Sequence, residues 1–331
     1  MGAALTVAPS VAMADTPDLT LLARPETHAA LGPLADHLPR WADMNVMVIS
    51  QDDMFRLGGD RMNADTTVLR NLFNKFAATI PAFPADRVVR EDLGRLIART
   101  ALDAAPSAYP LAKRSANEED ICVITLPYLD DRARRSIVRR LSSLSLADGT
   151  DIPGTADDWR MIVLAHEARH CRHSFADQSD LAAMNFEREA DQYAVDIYQR
   201  EAQTILGPHR DPLAVPQALL DFRAINMLMG AHNYHATSPG VTLLPTHAAV
   251  TSDAQSLLDG AVATRQALYN QAAHGDPAEH SRRRPRPPEM FAAAQSLNIS
   301  GLFTHQPVQQ QYITHFLRGG ARYFPNVFTP G

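Results

Sequence analysis

The chain has few cysteines, few lysines and no long apolar run. Its 331 residues include only two cysteines, Cys122 and Cys171, which allow at most one intramolecular disulfide and exclude a disulfide-rich scaffold. No stretch reaches the roughly 18 consecutive apolar residues that a membrane-spanning helix requires. We therefore expect no transmembrane segment, and we interpret both cysteines as buried small hydrophobic residues.

The chain also lacks an excess of basic charge. Lysine and arginine number 31 against 37 aspartate and glutamate, a formal net charge of -6, and the only lysines are Lys75 and Lys113. Such a balance does not favour binding of a polyphosphate backbone, so we expect no nucleic acid partner. With 45% hydrophobic and 21% charged residues, the composition is that of an ordinary globular enzyme.

Residues 1–14 are uncharged and rich in small side chains. They end in Ala12, Met13 and Ala14 before Asp15, which resembles the cleavage end of a secretory signal, while the basic front half of such a signal is missing. We interpret 1–14 as a signal-peptide remnant or a disordered arm. The expected localisation is periplasmic or secreted, with a cytoplasmic protein as the alternative.

Hydrophobic periodicity predicts a mostly helical chain with two clear strands. The β-branched runs at 45–50 and 121–126 predict strands. The second strand could lie inside a sheet or at its edge, where it would align an extended substrate by backbone pairing. The predicted helices cover 27–38, 65–80, 90–104, 130–144, 155–172, 178–203, 216–230, 251–273, 288–297 and 308–318.

These elements predict an α+β fold that is mostly α. We expect an N-terminal α/β part over 15–154 with a small sheet, and a helical part over 155–331 that carries the chemistry. Glycine, aspartate and proline between 148 and 154 indicate a loop between the two parts. Thr155 and Asp158 have the spacing of a capping box, which predicts where the next helix begins.

The helix predicted over 155–172 contains the motif HExxH, formed by His166, Glu167 and His170. Residues four apart share one face of a helix, so both imidazoles can bind one ion. The apolar run at 161–165 places this helix in the interior, where two histidines and a carboxylate would be costly without a shared metal. Glu167 lies about 100° around the helix from His166, where it can act as general base.

The helix predicted over 178–203 offers a third ligand. Glu187 and Asp191 are spaced i, i+4, so one carboxylate can bind the metal while the other orients a ligating imidazole. Glu189 competes with Glu187, but a helical wheel places Glu189 on a polar stripe and Glu187 beside apolar residues. A catalytic zinc site has three protein ligands and an open fourth position. The predicted Zn²⁺ ligands are His166, His170 and Glu187.

HExxH followed by ExxxD resembles the motif pair of the gluzincin metallopeptidases. The run Glu-Arg-Glu-Ala-Asp at 187–191, followed by Gln-Tyr-Ala, is similar to the second motif of the HtpX and CaaX-prenyl-protease group and to that of the ImmA/IrrE group. The resemblance covers 166–198. It implies a zincin-like core with His166, His170 and Glu187 as zinc ligands, Glu167 as base and Asp191 behind a ligand.

Zinc-dependent hydrolysis of a protein or peptide substrate is the function that these residues predict. A G-x-M-E-N element, which aminopeptidase gluzincins use near the substrate amine, is absent, and its absence favours an endopeptidase. The alternatives are a non-catalytic regulatory or binding protein stabilised by zinc, and an ImmA/IrrE-like regulatory protease. The intact Glu167 favours catalysis, because a structural site needs no base.

Other polar residues lie close to the motifs in sequence. His173 falls on the ligand face but about 10 Å along the helix axis from His166, so a straight helix cannot bring both to one ion. Three further residues cluster after a predicted helix end, where zincins often place a donor to the tetrahedral oxyanion: His232, Tyr234 and His235. We take His235 as the candidate catalytic donor.

Overall fold

The computed structural model describes residues 19–56, 96–97, 100, 106–111, 120–126, 128–172, 179–229, 233–273 and 285–328. Within them the fold is α+β and mostly helical, as predicted. The helix predicted over 65–80 lies outside the described residues, and only 96–97 and 100 represent the helix predicted over 90–104; these three residues are helical. None of the described helices has the length and apolarity to span a bilayer.

A four-stranded sheet forms the N-terminal side of the described fold. Its strands are β1 (Leu21–Leu22), β2 (Asn45–Ser50), β3 (Ser107–Leu111) and β4 (Ile121–Leu126), in the order β1-β2-β4-β3. The pairs β1–β2 and β2–β4 are parallel, and β3 is antiparallel to β4. β2 and β4 were predicted, and both are buried along their whole length, as parallel strands covered on both faces must be.

β4 occupies the interior of the sheet, so the edge role considered for 121–126 is wrong. Among the described strands the edge position on that side belongs to β3, which periodicity did not predict. β3 includes Pro110, which an edge strand tolerates because the missing N–H can lie on the unpaired side. Its burial is only partial, and this weakens the hydrophobic signal that reveals a strand.

The helices of the described residues are α1 (Pro25–Leu31), α2 (Leu34–Ala42), α3 (Gln51–Arg56), α4 (Arg132–Ser142), α5 (Ala156–Cys171), α6 (Asp180–Ile205), α7 (Ala214–Met229), α8 (Ala254–Ala272), α9 (Pro287–Ser300), α10 (Pro307–Tyr323) and α11 (Pro325–Phe328). The single helix predicted over 27–38 is wrong, because Gly32 at φ 51° and the following Pro33 divide it into α1 and α2. The other predicted helices that are described agree within a few residues.

α5 carries the first motif and lies at the centre of the described fold. The predicted capping box is present: the Thr155 N–H donates to the Asp158 carboxylate over 2.7 Å, and the Thr155 hydroxyl accepts from the Asp158 N–H. Nearly all of α5 is buried, and it packs against α2, α4, α6 and β3. The run at 161–165 is apolar on every side and is therefore enclosed by these elements.

Cys122 and Cys171 form a disulfide that joins β4 to the last residue of α5. Both side chains are buried, as predicted, but the interpretation of two separate hydrophobic residues is wrong. The cysteines are 49 residues apart in sequence, while their Cα atoms are 5.6 Å apart. Because Cys171 directly follows His170, the disulfide holds the motif end of α5 against the sheet.

A buried polar cluster joins α7 to α10. Asp221 on α7 lies 2.9 Å from Nδ1 of His315 and 2.6 Å from Nη2 of Arg318. Nε2 of Gln311 lies 2.5 Å from Nδ1 of His247 and 3.2 Å from Nε2 of His315. Burial lowers the pKa of His247 to about 4, and electrostatic repulsion from His315 and Arg318 acts in the same direction. The cluster therefore holds His247 neutral.

Removal of the disulfide should destabilise the fold. For a loop closed over a sequence separation of 49, loss of chain entropy in the unfolded state stabilises the folded state by about 4 kcal/mol. We expect Cys122→Ala/Cys171→Ala to lower the free energy of unfolding in urea by roughly 3–4 kcal/mol. Wild-type protein unfolded in reductant should show the same loss. Superimposable unfolding curves with and without reductant would contradict this prediction.

The lowered pKa of His247 should make stability depend on pH. The unfolded chain takes up a proton near the ordinary pKa of 6.5, whereas folded His247 takes one up only near pH 4. Its contribution to stability is therefore complete above pH 6.5 and is lost as the pH falls toward 4. We expect a smaller loss of unfolding free energy between about pH 7 and about pH 5 in His247→Gln than in wild type, measured in urea with EDTA present throughout. Equal losses of unfolding free energy in the variant and in wild type would refute this prediction.

Candidate metal centre

Two histidines of α5 and one glutamate of α6 meet in the interior. The Nε2 atoms of His166 and His170 lie 3.0 Å apart, and they lie 3.4 and 3.5 Å from carboxylate oxygens of Glu187. One donor atom from each residue lies within 4.8 Å of the other two. The structure thus brings together the three residues predicted as ligands. Two nitrogens and a carboxylate oxygen this close could hold a divalent metal ion, whose charge would offset the cost of burying them.

Helix geometry places these donors. The i, i+4 spacing puts His166 and His170 on one face of α5, and α6 is the element that α5 packs against most extensively. The stripe of α6 that carries Glu187 and Asp191 is the inward one: Asp191 is fully buried and the Glu187 side chain is only 16% exposed. A carboxylate therefore faces the two imidazoles across the helix interface.

Asp191 lies behind His166 and orients it. Its Oδ1 atom is 2.9 Å from Nδ1 of His166, so Nε2 is the ring nitrogen turned toward Glu187. Nε and Nη2 of Arg223 donate to the same carboxylate over 2.9 and 2.8 Å, and the hydroxyl of Thr237 donates to it as well. The Asp191 carboxylate is therefore held from three directions.

Neighbouring groups of opposite charge shift the pKa values of His166 and Asp191 more than burial does. Burial alone would lower the pKa of His166, but Asp191 and Glu187 outweigh it and raise the pKa to about 10. Burial would raise the pKa of Asp191, yet the charge of Arg223 and the contact with His166 hold it well below its usual range. The two carboxylates therefore favour a positive charge at His166, and a bound cation could supply that charge in place of a proton.

Glu189, the competing ligand, lies away from the donor group. Nη2 of Arg169 donates to its Oε2 over 2.8 Å, and Nδ2 of Asn185 donates to Oε1 over 3.1 Å. The structure therefore does not bring Glu189 to the site, in agreement with its place on the polar stripe of α6.

Glu167 is buried and lines the same cleft as the donor group. Burial raises the pKa of its carboxyl, and the charges of His166 and His170 act in the opposite direction. Among the described side chains none donates a hydrogen bond to this carboxylate, so its oxygens are available to accept a proton. This is the property that a general base requires.

A cleft with a volume of about 520 Å³ opens onto the donors. Its lining includes residues 106–109, at the start of β3, and side chains of α4 and α7. Tyr234 and His235 also line it, and Nε2 of His235 lies 3.7 Å from Oε2 of Glu187. Two other histidines considered from the sequence, His173 and His232, lie outside the described residues.

Sequence reasoning missed two residues that hold the site together, Arg223 and Thr237. A signal for Arg223 was present: the buried stretch of α7 from 218 to 228 includes Asp221, Arg223 and Asn226 among apolar residues. Charged side chains are almost never buried without a partner, so this pattern predicts a partner of opposite charge for Arg223. Thr237 carries no comparable signal.

No protein-family model, curated protein or solved structure matches this chain. The resemblance to the gluzincins therefore rests on the motif residues of the sequence alone.

The two glutamates of α6 should differ sharply in metal binding. Glu187→Gln removes the anionic oxygen from the donor group, so we expect at least tenfold weaker Zn²⁺ binding, by analogy with losses of 10–100-fold at metal-site partners. Glu189→Gln is the matched control, with the same change two residues away on the same helix, and it should bind Zn²⁺ as wild type does. Competition with a chromophoric chelator measures both. Equal affinities in the two variants would exclude Glu187 as a ligand.

Proposed function

We propose that this protein is a zinc-dependent peptidase with a zincin-like core. The observation that carries the proposal is that His166, His170 and Glu187 converge at a cleft which Glu167 also lines. In the described part of the chain the close donor group consists of three residues, and His235 is not part of it. A structural zinc site is closed by a fourth protein ligand, whereas three ligands beside a cleft are typical of a catalytic one.

The chain's own residues supply binding, orientation and proton transfer. His166, His170 and Glu187 would hold the ion, and Asp191 with Arg223 would fix the ring of His166. A bound zinc ion supplies Lewis acidity, which lowers the pKa of water to about 7 and polarises a carbonyl group. Glu167 would accept the proton of the attacking water and pass it to the leaving amine, and its raised pKa suits both steps.

His235 is the proposed donor to the oxyanion. Its ring lies beside that of Tyr234, with the ring centroids 4.5 Å apart, and it reaches within 3.7 Å of the Glu187 carboxylate. A donor next to a metal ligand can stabilise charge that develops on the substrate carbonyl. The position of His235 therefore supports the role predicted from the sequence.

β3 supports an extended peptide as the substrate. Residues 106–109 line the cleft, and β3 lies at the edge of the described sheet and packs against α5. A peptide can add to such an edge by backbone hydrogen bonds, which requires no particular sequence. This arrangement favours an endopeptidase, with β3 in the role that we considered for β4.

A regulatory protein merely stabilised by zinc fits these residues less well. A structural carboxylate is held by hydrogen-bond donors, whereas Glu167 lines the cleft and has no such donor among the described residues. A structural metal site needs no base. Catalysis explains why Glu167 is present, and stabilisation does not.

The disulfide supports export of the protein. Disulfides persist in oxidising compartments such as the periplasm or the extracellular space, and they are rare in the reducing cytosol. Cys122 and Cys171 are joined and buried. This supports our proposal that the activity belongs to the periplasm or the extracellular space, on an observation that is independent of residues 1–14.

Glu167→Gln should separate catalysis from metal binding. The amide cannot accept a proton, so we expect kcat to fall by roughly 10²–10⁴-fold, while Zn²⁺ content stays at the wild-type level. Cleavage of casein by the purified protein, with zinc content determined on the same samples, measures both quantities.

Glu189→Gln is the control for this experiment and should retain activity. EDTA should abolish wild-type cleavage, and added Zn²⁺ should restore it. Full activity of Glu167→Gln, or wild-type cleavage that resists EDTA, would overturn the proposed mechanism.

A further inference from the structure

Arg140 is a cleft residue whose charge the proposed chemistry does not use. Among the described residues, the charged side chains that line the cleft are Arg140, Glu167, Glu187, Asp191 and Arg223. All but Arg140 have a role at the metal centre. Arg140 is exposed in the last turn of α4, and no carboxylate of the described residues pairs with it.

The carboxylates around the donor group do not balance the positive charge of Arg140. Arg223 is paired with Asp191 and lies 3.4 Å from the Glu187 carboxylate. With a divalent ion bound, the ion and Arg223 together balance Glu167, Glu187 and Asp191. Arg140 then remains as an uncompensated cation of the cleft, and a cation in a cleft attracts anionic groups of a ligand.

Packing between α4 and α7 determines where Arg140 lies along the cleft. Nδ2 of Asn226 donates to the Arg140 carbonyl oxygen over 3.3 Å and to the Ser143 hydroxyl over 2.9 Å. Asn226 follows Arg223 by three residues, so both lie on one face of α7. The end of α4 is therefore held about one helical turn beyond the pair formed by Arg223 and Asp191.

Part of the cleft lining is apolar. It includes Ile162, which precedes His166 by four residues and shares its face of α5. Ile137 and Leu141 of α4 and Leu219 of α7 continue this surface. A substrate bound in the cleft can therefore contact these apolar side chains as well as Arg140.

We propose that Arg140 binds a carboxylate of the peptide substrate, and that the apolar side chains of the cleft contact an apolar residue of the same peptide. This inference rests on the proposed peptidase function. The planar guanidinium matches a carboxylate in shape and charge, and such charge-assisted hydrogen bonds are strong. The carboxylate can come from an acidic side chain or from the free C-terminus of the substrate.

Matched peptides test the inference and separate the two sources of carboxylate. In one series of internally quenched peptides, a single Glu is placed at successive positions beside a Leu. The neutral partner of each peptide has Gln in place of that Glu. A second pair ends in a free carboxylate or in an amide. We expect a value of kcat/KM about tenfold higher for the charged member of one pair than for its neutral partner.

Arg140→Gln should bring the ratio between charged and neutral peptides close to one. Arg139→Gln is the matched control, because Arg139 is the adjacent exposed arginine of α4 and does not line the cleft. That variant should keep the wild-type ratio. A preference for the charged peptide that persists in Arg140→Gln would overturn the assignment.

A binding measurement keeps this test separate from the test of peptidase activity. Fluorescein-labelled peptides of both series are titrated with Glu167→Gln protein, with and without Arg140→Gln, and anisotropy gives the affinities. Tenfold tighter binding of the charged peptide that requires Arg140, without any hydrolysis by wild type, would refute the peptidase and retain the carboxylate site. Equal affinity and equal turnover of charged and neutral peptides would refute the carboxylate site, whatever the peptidase activity.

Discussion

The buried carboxylate of Asp191 connects three parts of the fold to α6. It is fully buried and contacts His166 on α5, Arg223 on α7 and the hydroxyl of Thr237. A buried carboxylate stays ionised only when cations and donors compensate for the lost water. Here the compensation comes from separate elements, so loss of one partner leaves the others with uncompensated charge. The orientation of His166, and with it the donor group, depends on this balance.

The helix that carries the two histidine donors is held at both ends. A capping box satisfies the first turn of α5, and the disulfide from Cys171 to Cys122 attaches its last residue to the sheet. Sites built on rigid helices hold their side chains more precisely than sites built on loops. The rigid part therefore positions the donors, while β3, α4 and α7 shape the cleft around them. Chemistry and substrate selection would thus reside in different elements.

Local patterns accounted for much of this arrangement. β2 and β4 were recognisable because strands buried on both faces are continuously hydrophobic, and the polar stripe of α6 separated Glu189 from Glu187 before any contact was known. Helix bounds were recovered where caps and periodicity agreed. The failures also have local causes. β3 is short and half-buried, and Gly32 with Pro33 interrupts a run that is otherwise periodic.

The sequence by itself determined which side chains share a face: His166 with His170 on one helix, and Glu187 with Asp191 on another. That follows from the 3.6-residue repeat, which is a property of the local backbone. Only the tertiary structure decided that these faces meet, that Arg223 and Thr237 complete the surroundings of Asp191, and that Cys122 reaches Cys171. Contacts between residues tens of positions apart depend on how whole elements pack, and periodicity within one element carries no information about its neighbours.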